Sequence, residues 1–228
     1  MTLEDQTIIV TGSGRGIGRY IAKRLARDGA SIVLTARTER EIEQVYNEIT
    51  GNGGRAIYIR GDAAREKDVK AVIGEALKKF GRIDALVNNA GIGVRKYLWE
   101  TGVKEFEDVM DVNVKGVFLY MKHIIPEMRK RGGLIINISS EAGKTGIPTL
   151  SAYCASKFAV IGLTEAAAGE VENRTKIVAL CPGSVDVGMF KLMFPGEKAD
   201  LEPEEVAEKV ADICNHPEKY NSGQSIVF

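Results

Sequence analysis

Short apolar runs alternate with longer amphipathic segments along the whole chain. Residues 7–11, Thr-Ile-Ile-Val-Thr, form a β-branched run that ends at Gly12 and predicts a buried strand. In residues 16–28 the apolar positions Ile17, Ile21 and Leu25 recur at helical spacing, and Gly29 closes that helix as its C-cap. The alternation continues with a strand at 31–35, a helix at 38–50 that leaves through Gly51 to Gly54, and a strand at 55–60. A helix at 66–80 is closed by Gly81, and a strand follows at 84–88. Residues 101–131 read as one long helical region, with a kink or break expected at Pro126, which lacks a backbone donor. Strands at 134–139, 176–180 and 224–227 and helices at 152–173 and 203–215 complete the pattern. Strand and helix in strict alternation, joined by short turns, predict βαβ units and a parallel sheet covered on both faces. No linker, repeat or low-complexity stretch divides the chain, so the fold class is α/β, one doubly wound domain over residues 1–228.

Composition narrows the function. A chain of 228 residues with 44% hydrophobic and 27% charged residues can bury a large core. Lys plus Arg and Asp plus Glu number 31 each, so no global field favours nucleic acid or an anionic membrane, and any anion selectivity must be local. No apolar run approaches the ~18 residues of a membrane span. Cys154, Cys181 and Cys214 lie far apart with no metal-ligand spacing. Three unpaired cysteines and a polar start at residues 1–6 are read as reduced thiols in a cytoplasmic protein. The sequons at Asn137 and Asn173 are read as chance matches.

The turn after the first strand is Thr11-Gly-Ser-Gly-Arg-Gly-Ile-Gly18, and it opens the first helix. Glycine lets backbone N–H groups approach a pyrophosphate, and the helix N-terminus adds partial positive charge. The spacing is TGxxxGxG rather than GxGxxG, but its strand–turn–helix context predicts a dinucleotide site built by Gly12, Ser13, Gly14, Arg15, Gly16, Ile17 and Gly18. At the end of the second strand, where an NAD site usually places a carboxylate for the ribose 2′-hydroxyl, the chain reads Leu34-Thr-Ala-Arg37. Arg37 and Arg15 with no acid there suit a 2′-phosphate, so NADP(H) is the expected cofactor; the alternative is a solvated Arg37 at the start of the next helix.

In Ser151-Ala-Tyr153-Cys-Ala-Ser-Lys157, Tyr153 and Lys157 stand four apart, on one face of a helix. A free phenol has a pKa of ~10, too high for proton transfer near neutrality, and a cation one turn away is expected to lower it.

Taken together, several motifs resemble the short-chain dehydrogenase/reductase family in its shorter single-domain, tyrosine-dependent branch. They are Thr11-Gly12…Gly16…Gly18, Asp62-Ala63 after the third strand, Asn88-Asn89-Ala90-Gly91 after the fourth, Asn113, Ser139-Ser140, Tyr153…Lys157 and Pro182-Gly183 after the sixth. The resemblance implies a Rossmann-type sheet of seven strands ordered 3-2-1-4-5-6-7. It implies that Asp62 accepts from the adenine amino group with Ala63 contacting by backbone, and that Asn89, Ala90 and Gly91 line the adenosine side. Ser140, thirteen residues before Tyr153, is implied to bind the substrate oxygen; Ser139 competes, but neighbouring strand residues face opposite ways. Tyr153 is implied to be the acid or base, Lys157 to serve both the phenol and the nicotinamide ribose, and Asn113 to hold a water behind the lysine in a proton relay. One departure stands out: Val187 occupies the position where the family usually has a threonine near the nicotinamide carboxamide, leaving Pro182, Gly183 and backbone at Val185, with Ser184 or Asp186, to anchor it.

The expected pocket is apolar, walled by Ala142, Ile147, Leu150, Met189, Phe190, Leu192, Met193 and Phe194, with residues about 188–200 as a small lid; Phe190 and Phe194 can equally be core packing. Small residues at Ala155, Ala159, Ala166, Ala167 and Ala168 suit a helix–helix contact in a homodimer or homotetramer, or close packing on the sheet. The expected activity is hydride transfer between NADP(H) and an apolar ketone or aldehyde, or the corresponding alcohol, without metal. A 3-oxoacyl-thioester reductase and an NAD-preferring relative are alternatives. A nucleotide-binding regulatory protein without turnover is the rival from another class, and the complete Asn113, Ser140, Tyr153 and Lys157 set argues against it. Trp99 and His123 carry no assigned role.

Overall fold

The computed structural model describes residues 3–171 and 175–228. Seven parallel strands form one sheet in the order β3-β2-β1-β4-β5-β6-β7. They are β1 (Thr7–Thr11), β2 (Ser31–Ala36), β3 (Arg55–Arg60), β4 (Ala85–Asn88), β5 (Gly133–Ile138), β6 (Thr175–Cys181) and β7 (Ser225–Val227). Parallel strands buried on both faces need apolar residues at consecutive positions, and Ile8, Ile9 and Val10 are all fully buried.

Alternate residues feed different cores. Ile8 and Val10 pack with Ile21 and Leu25 of α1 (Gly16–Arg27), Ile42 and Val45 of α2 (Glu39–Gly51), and Val206 and Val210 of the last helix, Pro203–Asn215. Ile9 and Val33 pack on the other face with Val69 and Val72 of α3 (Glu66–Phe80) and with the helices that follow β4 and β5. α3 ends as its sequence predicts, at Gly81 with φ +73°. Among the described residues no helix is long and apolar enough to cross a membrane.

The long helical region differs from its expectation. It comprises α4 (Val103–Met110), a π-helical turn at Asp111–Lys115 and α5 (Gly116–Arg131). Pro126 lies inside α5, which is continuous through it. The irregularity falls at Asn113 instead. Its amide carbonyl accepts from the Ile92 N–H at 2.8 Å, and its NH2 donates to the Ile92 carbonyl and the Ser156 hydroxyl, both at 2.9 Å. One extra residue in a helical turn aims this side chain inward, as π turns at functional sites do. His123, on α5, meets the Glu66 carboxylate at 2.7 Å and so ties α5 to α3.

The helix that carries Tyr153 is α6 (Ser151–Glu170). It was expected to run to Asn173, which lies outside the described residues. A buried polar ladder locks it to the sheet. Asn88 donates to its register partner Asn137 at 2.8 Å, Asn137 donates to the Thr164 hydroxyl at 2.9 Å, and Thr164 bonds the Val160 carbonyl. Such bonds hold the helix in one register, because a shift would leave buried amides without partners. Asn137 is fully buried. A short α7 (Gly188–Met193) precedes the last helix, α8.

Candidate active site

The strand order reverses direction between β1 and β4, and the loops after β1, β2, β3, β4, β5 and β6 meet at that C-terminal edge. Ligands of open α/β sheets lie at such a switch point.

The glycine loop is held rigidly there. Asn89 donates to the Thr11 carbonyl at 2.9 Å and the Gly12 carbonyl at 3.3 Å, while the Thr11 hydroxyl accepts from the Asn89 and Ala90 N–H groups. A Cβ at Gly12 would lie 2.9 Å from Ala90 Cα, and Gly12 has φ +64°. The Asn89 side chain therefore fastens two loops together. Arg15 caps α1 without a side-chain hydrogen bond, and the first turn holds no acid. The N–H groups of that turn thus have no side-chain partner within the helix cap, which suits an anionic diphosphate. Ser13 is buried and paired to Thr35 backbone groups, so it braces the loop against β2.

At the end of β2, Arg37 is exposed, and its carbonyl accepts from Arg60 Nε at 3.2 Å, which brings a second guanidinium beside Arg37. Arg15 is 80% exposed and faces Glu41 at 3.6 Å. Asp62 is half-buried and accepts from the Ala64 N–H at 3.0 Å. Ala63 touches the position a Gly116 side chain would fill, at 3.2 Å. Gly91 lies 3.4 Å from Asn113 Oδ1 and 3.7 Å from Lys157 Nζ, measured from where its Cβ would stand.

Ser140, Tyr153 and Lys157 meet at the centre. The Ser140 hydroxyl lies beside the Tyr153 phenol, whose pKa it pulls down, and Ser140 Oγ accepts from the Ala142 N–H at 3.2 Å. Ser139 points away, its hydroxyl donating to the Lys157 carbonyl at 2.9 Å. Of the two candidate serines, Ser140 is the one whose hydroxyl acts on the phenol. Lys157 is 5% exposed, with Nζ 2.9 Å from the Ile138 carbonyl and 5.5 Å from the Tyr153 ring centre.

The expected lowering of the phenol pKa is overturned in this arrangement. Burial pushes Tyr153 up to about 12, against a smaller opposite pull from Ser140. Burial also pushes Lys157 down to about 8. A cation that is itself desolvated and aimed at a backbone carbonyl does not outweigh the loss of water around the phenol.

Across from these residues, Val187 stands over the glycine loop, 3.7 Å from where a Gly16 Cβ would be. Pro182 accepts from the Glu141 N–H at 2.9 Å, Gly183 donates to the Phe228 carbonyl, and buried Val185 accepts from the Val187 N–H at 2.8 Å. Ser184 and Asp200 bond each other at 2.7 Å and so pin the far end of the 188–200 segment.

The expected pocket forms in part. Ala142, Leu150, Met193 and Phe194 gather on Tyr153, joined by buried Cys154. Leu192 turns outward at 79% exposure, and Ile147 is 39% exposed. Phe190 stacks on Phe194 with ring centres 5.1 Å apart. Cys154, Gly93 and Arg95 were missed as pocket residues. Cys154 follows Tyr153 and one turn from Leu150, a spacing that could have revealed it; Gly93 and Arg95 lie in a loop without pattern.

Comparison with known proteins places the chain in a family. The family model for short chain dehydrogenases matches residues 6–198. A 3-oxoacyl-(acyl-carrier-protein) reductase FabG of Staphylococcus epidermidis is 36% identical over 97% of this chain and 96% of its own. A 2,5-dichloro-2,5-cyclohexadiene-1,4-diol dehydrogenase of Sphingobium indicum is 39% identical over 99% of this chain and 90% of its own. The solved 3-ketoacyl-(acyl-carrier-protein) reductase of Brucella melitensis, a complex with NADH, superposes with a TM-score of 0.92 at 31% identity, covering 99% of this chain and 97% of that one. The chain belongs to the short-chain dehydrogenase/reductase family of nicotinamide-dependent oxidoreductases.

Proposed function

We propose that the protein is an NADP(H)-dependent carbonyl reductase or alcohol dehydrogenase for apolar ketones or aldehydes, with Tyr153 as its acid and base. The observation that carries this reading is the Tyr153 phenol flanked by the Ser140 hydroxyl and by the buried Lys157 ammonium, whose Nζ lies 5.5 Å from the ring centre. Lys157 has three N–H donors and one protein acceptor, the Ile138 carbonyl. Its remaining donors fit ribose hydroxyls, and the uncapped start of α1 fits a diphosphate.

A nicotinamide held at this site would supply or accept the hydride. Ser140 orients the substrate oxygen by hydrogen bonding, and the Tyr153 hydroxyl gives its proton to that oxygen as charge develops. With its pKa pushed up to about 12, the phenol holds this proton at neutral pH, the form that reduction needs. Oxidation needs the phenolate and is therefore favoured by alkaline conditions. Asn113 holds the Ile92 backbone and Ser156, and through them the approach to Lys157, where a water would extend the proton path. Cofactor and substrate sites share one domain.

Tyr153→Phe is expected to lower kcat about a hundredfold or more while cofactor Kd changes little; retained turnover would refute the tyrosine mechanism. Arg15, Arg37 and Arg60 around the end of β2, with no carboxylate at Ala36, support the 2′-phosphate reading. NADPH is expected to exceed NADH in kcat/KM, and Arg37→Asp to move the preference toward NADH.

A 3-oxoacyl thioester is the second substrate reading, supported by likeness to the Staphylococcus and Brucella reductases. The same NADPH-oxidation assay with acetoacetyl-coenzyme A separates it from simple ketones. Exposed Phe106, Phe118 and Phe158 on α4, α5 and α6, with exposed Ala155 and Ala166 on α6, support assembly of a homodimer or homotetramer through this face.

A further inference from the structure

Arg95 joins three separate segments at the mouth of the pocket. It lies in the loop after β4. Its Nη1 donates to the Met193 carbonyl at 3.0 Å and to the Glu197 carboxylate at 3.2 Å. Its Nε donates to the Thr149 hydroxyl at 3.3 Å, and the guanidinium lies 4.2 Å from the centre of the Phe194 ring. Met193, Phe194 and Glu197 belong to the lid, whereas Thr149 belongs to the turn that leads into α6 and Tyr153. Thr149 has φ +68°, a left-handed conformation that a β-branched residue adopts only under constraint. The backbone of Lys96 adds a bond to the Thr149 carbonyl at 2.9 Å.

Beneath this clasp the lid places Met193 over the reacting centre. A Cβ on Gly93 would lie 2.6 Å from Met193 Sδ and 3.4 Å from Tyr153 Cδ2. The thioether thus occupies the volume that any larger residue at position 93 would take, against the Tyr153 ring. A planar guanidinium with several donors is suited to hold three acceptors and a ring face at once, which a lysine is not.

We propose that Arg95 is the latch of the substrate lid, and that the latched lid makes Met193, seated on Gly93, the roof that limits how bulky a substrate may be over Tyr153. The specificity half rests on Tyr153 being the reacting centre; the latch half does not. Arg95 is a positioning residue, since it acts through the lid. A loose lid admits larger substrates and holds small ones less well, while the proton donor itself is untouched.

The test uses the full chain and two independent readouts. Amide hydrogen exchange followed over residues 188–200 reads the latch without turnover. Arg95→Ala is expected to speed exchange there several-fold and to leave the sheet unchanged, and Arg95→Lys to fall between. NADPH-dependent reduction of cyclohexanone and of the bicyclic ketone 2-decalone reads the roof. Arg95→Ala is expected to raise KM for cyclohexanone several-fold with kcat within about twofold. Met193→Ala is expected to raise the 2-decalone to cyclohexanone ratio of kcat/KM about tenfold without faster lid exchange, because one side chain's bulk sets such discrimination. Unchanged lid exchange in Arg95→Ala overturns the latch. An unchanged ratio in Met193→Ala overturns the roof. A wild-type protein that turns over neither ketone, with exchange altered as expected, overturns the functional reading beneath the roof and leaves the latch standing.

Discussion

The cofactor half and the substrate half of the site share one sheet edge but are built differently. In the first, backbone packs on backbone. In the second, long side chains reach between loops. The same substitution separates them. A Cβ at Gly18 would lie 2.4 Å from the Gly12 carbonyl oxygen and 2.4 Å from Asn89 Nδ2. Neither can yield without moving the loop that Asn89 fastens. A Cβ at Gly93 would lie 2.6 Å from a thioether, the far end of a flexible side chain. Gly18→Ala is therefore expected to cost about 3 kcal/mol or more and to abolish cofactor binding, read by chemical denaturation and by fluorescence titration with NADPH. Gly93→Ala is expected to leave the denaturation midpoint nearly unchanged and to alter only substrate kinetics. Equal loss of stability in the two variants would erase the distinction.

Lys157 stands at the seam between the halves, and its burial makes a pH signature. Its folded pKa is about 8 against 10.5 in the open chain. Between those values the unfolded chain binds more protons than the folded one, so this residue's contribution to stability rises with pH through that window. Below about 8 the folded protein carries the whole cost of a buried charge, on the order of 3 kcal/mol from the shift. Lys157→Met is expected to be more stable than the wild type at pH 7 and to lose that advantage by pH 10.5, in paired urea denaturations. A constant difference across that range would mean the ammonium is better solvated than its surroundings indicate.

The same contrast explains what could be read in the chain before its structure. The strand at 55–60, the helix at 66–80 and the helix at 203–215 fall where their patterns put them, because period and cap residues are local. Seven strands in the order 3-2-1-4-5-6-7 were implied by the family resemblance that the motifs at the strand ends carry, and the sheet has that order. Local signals misled at Pro126, because a single missing donor is tolerated within α5 while the side chain of Asn113, bonded to Ile92 twenty-one residues earlier, accompanies the π turn. The phenol pKa was misjudged because spacing along a helix carries the cation but not the burial that outweighs it. Arg95 was illegible for a related reason. Its partners Met193 and Glu197 lie 98 and 102 residues away, and no periodicity links a loop arginine to a lid.

The end of β2 is the one part of the cofactor half that depends on exposed side chains, and it should behave like the other half. Glu41 lies 3.6 Å from Arg15 and packs against Gly14, whose Cβ would stand 2.7 Å from Glu41 Cβ. Its carboxylate offers Arg15 a competing anion, so a 2′-phosphate must displace it. Arg15 is exposed and Glu41 only partly buried, and such pairs contribute little and are screened by salt. Glu41→Gln is therefore expected to tighten NADPH by only a few-fold, to leave NADH unchanged, and to lose its advantage in high salt, all measured as Kd by titration. A gain for both cofactors would instead mean that Glu41 acts through the glycine loop it touches, making this corner as rigid as the rest of the cofactor half.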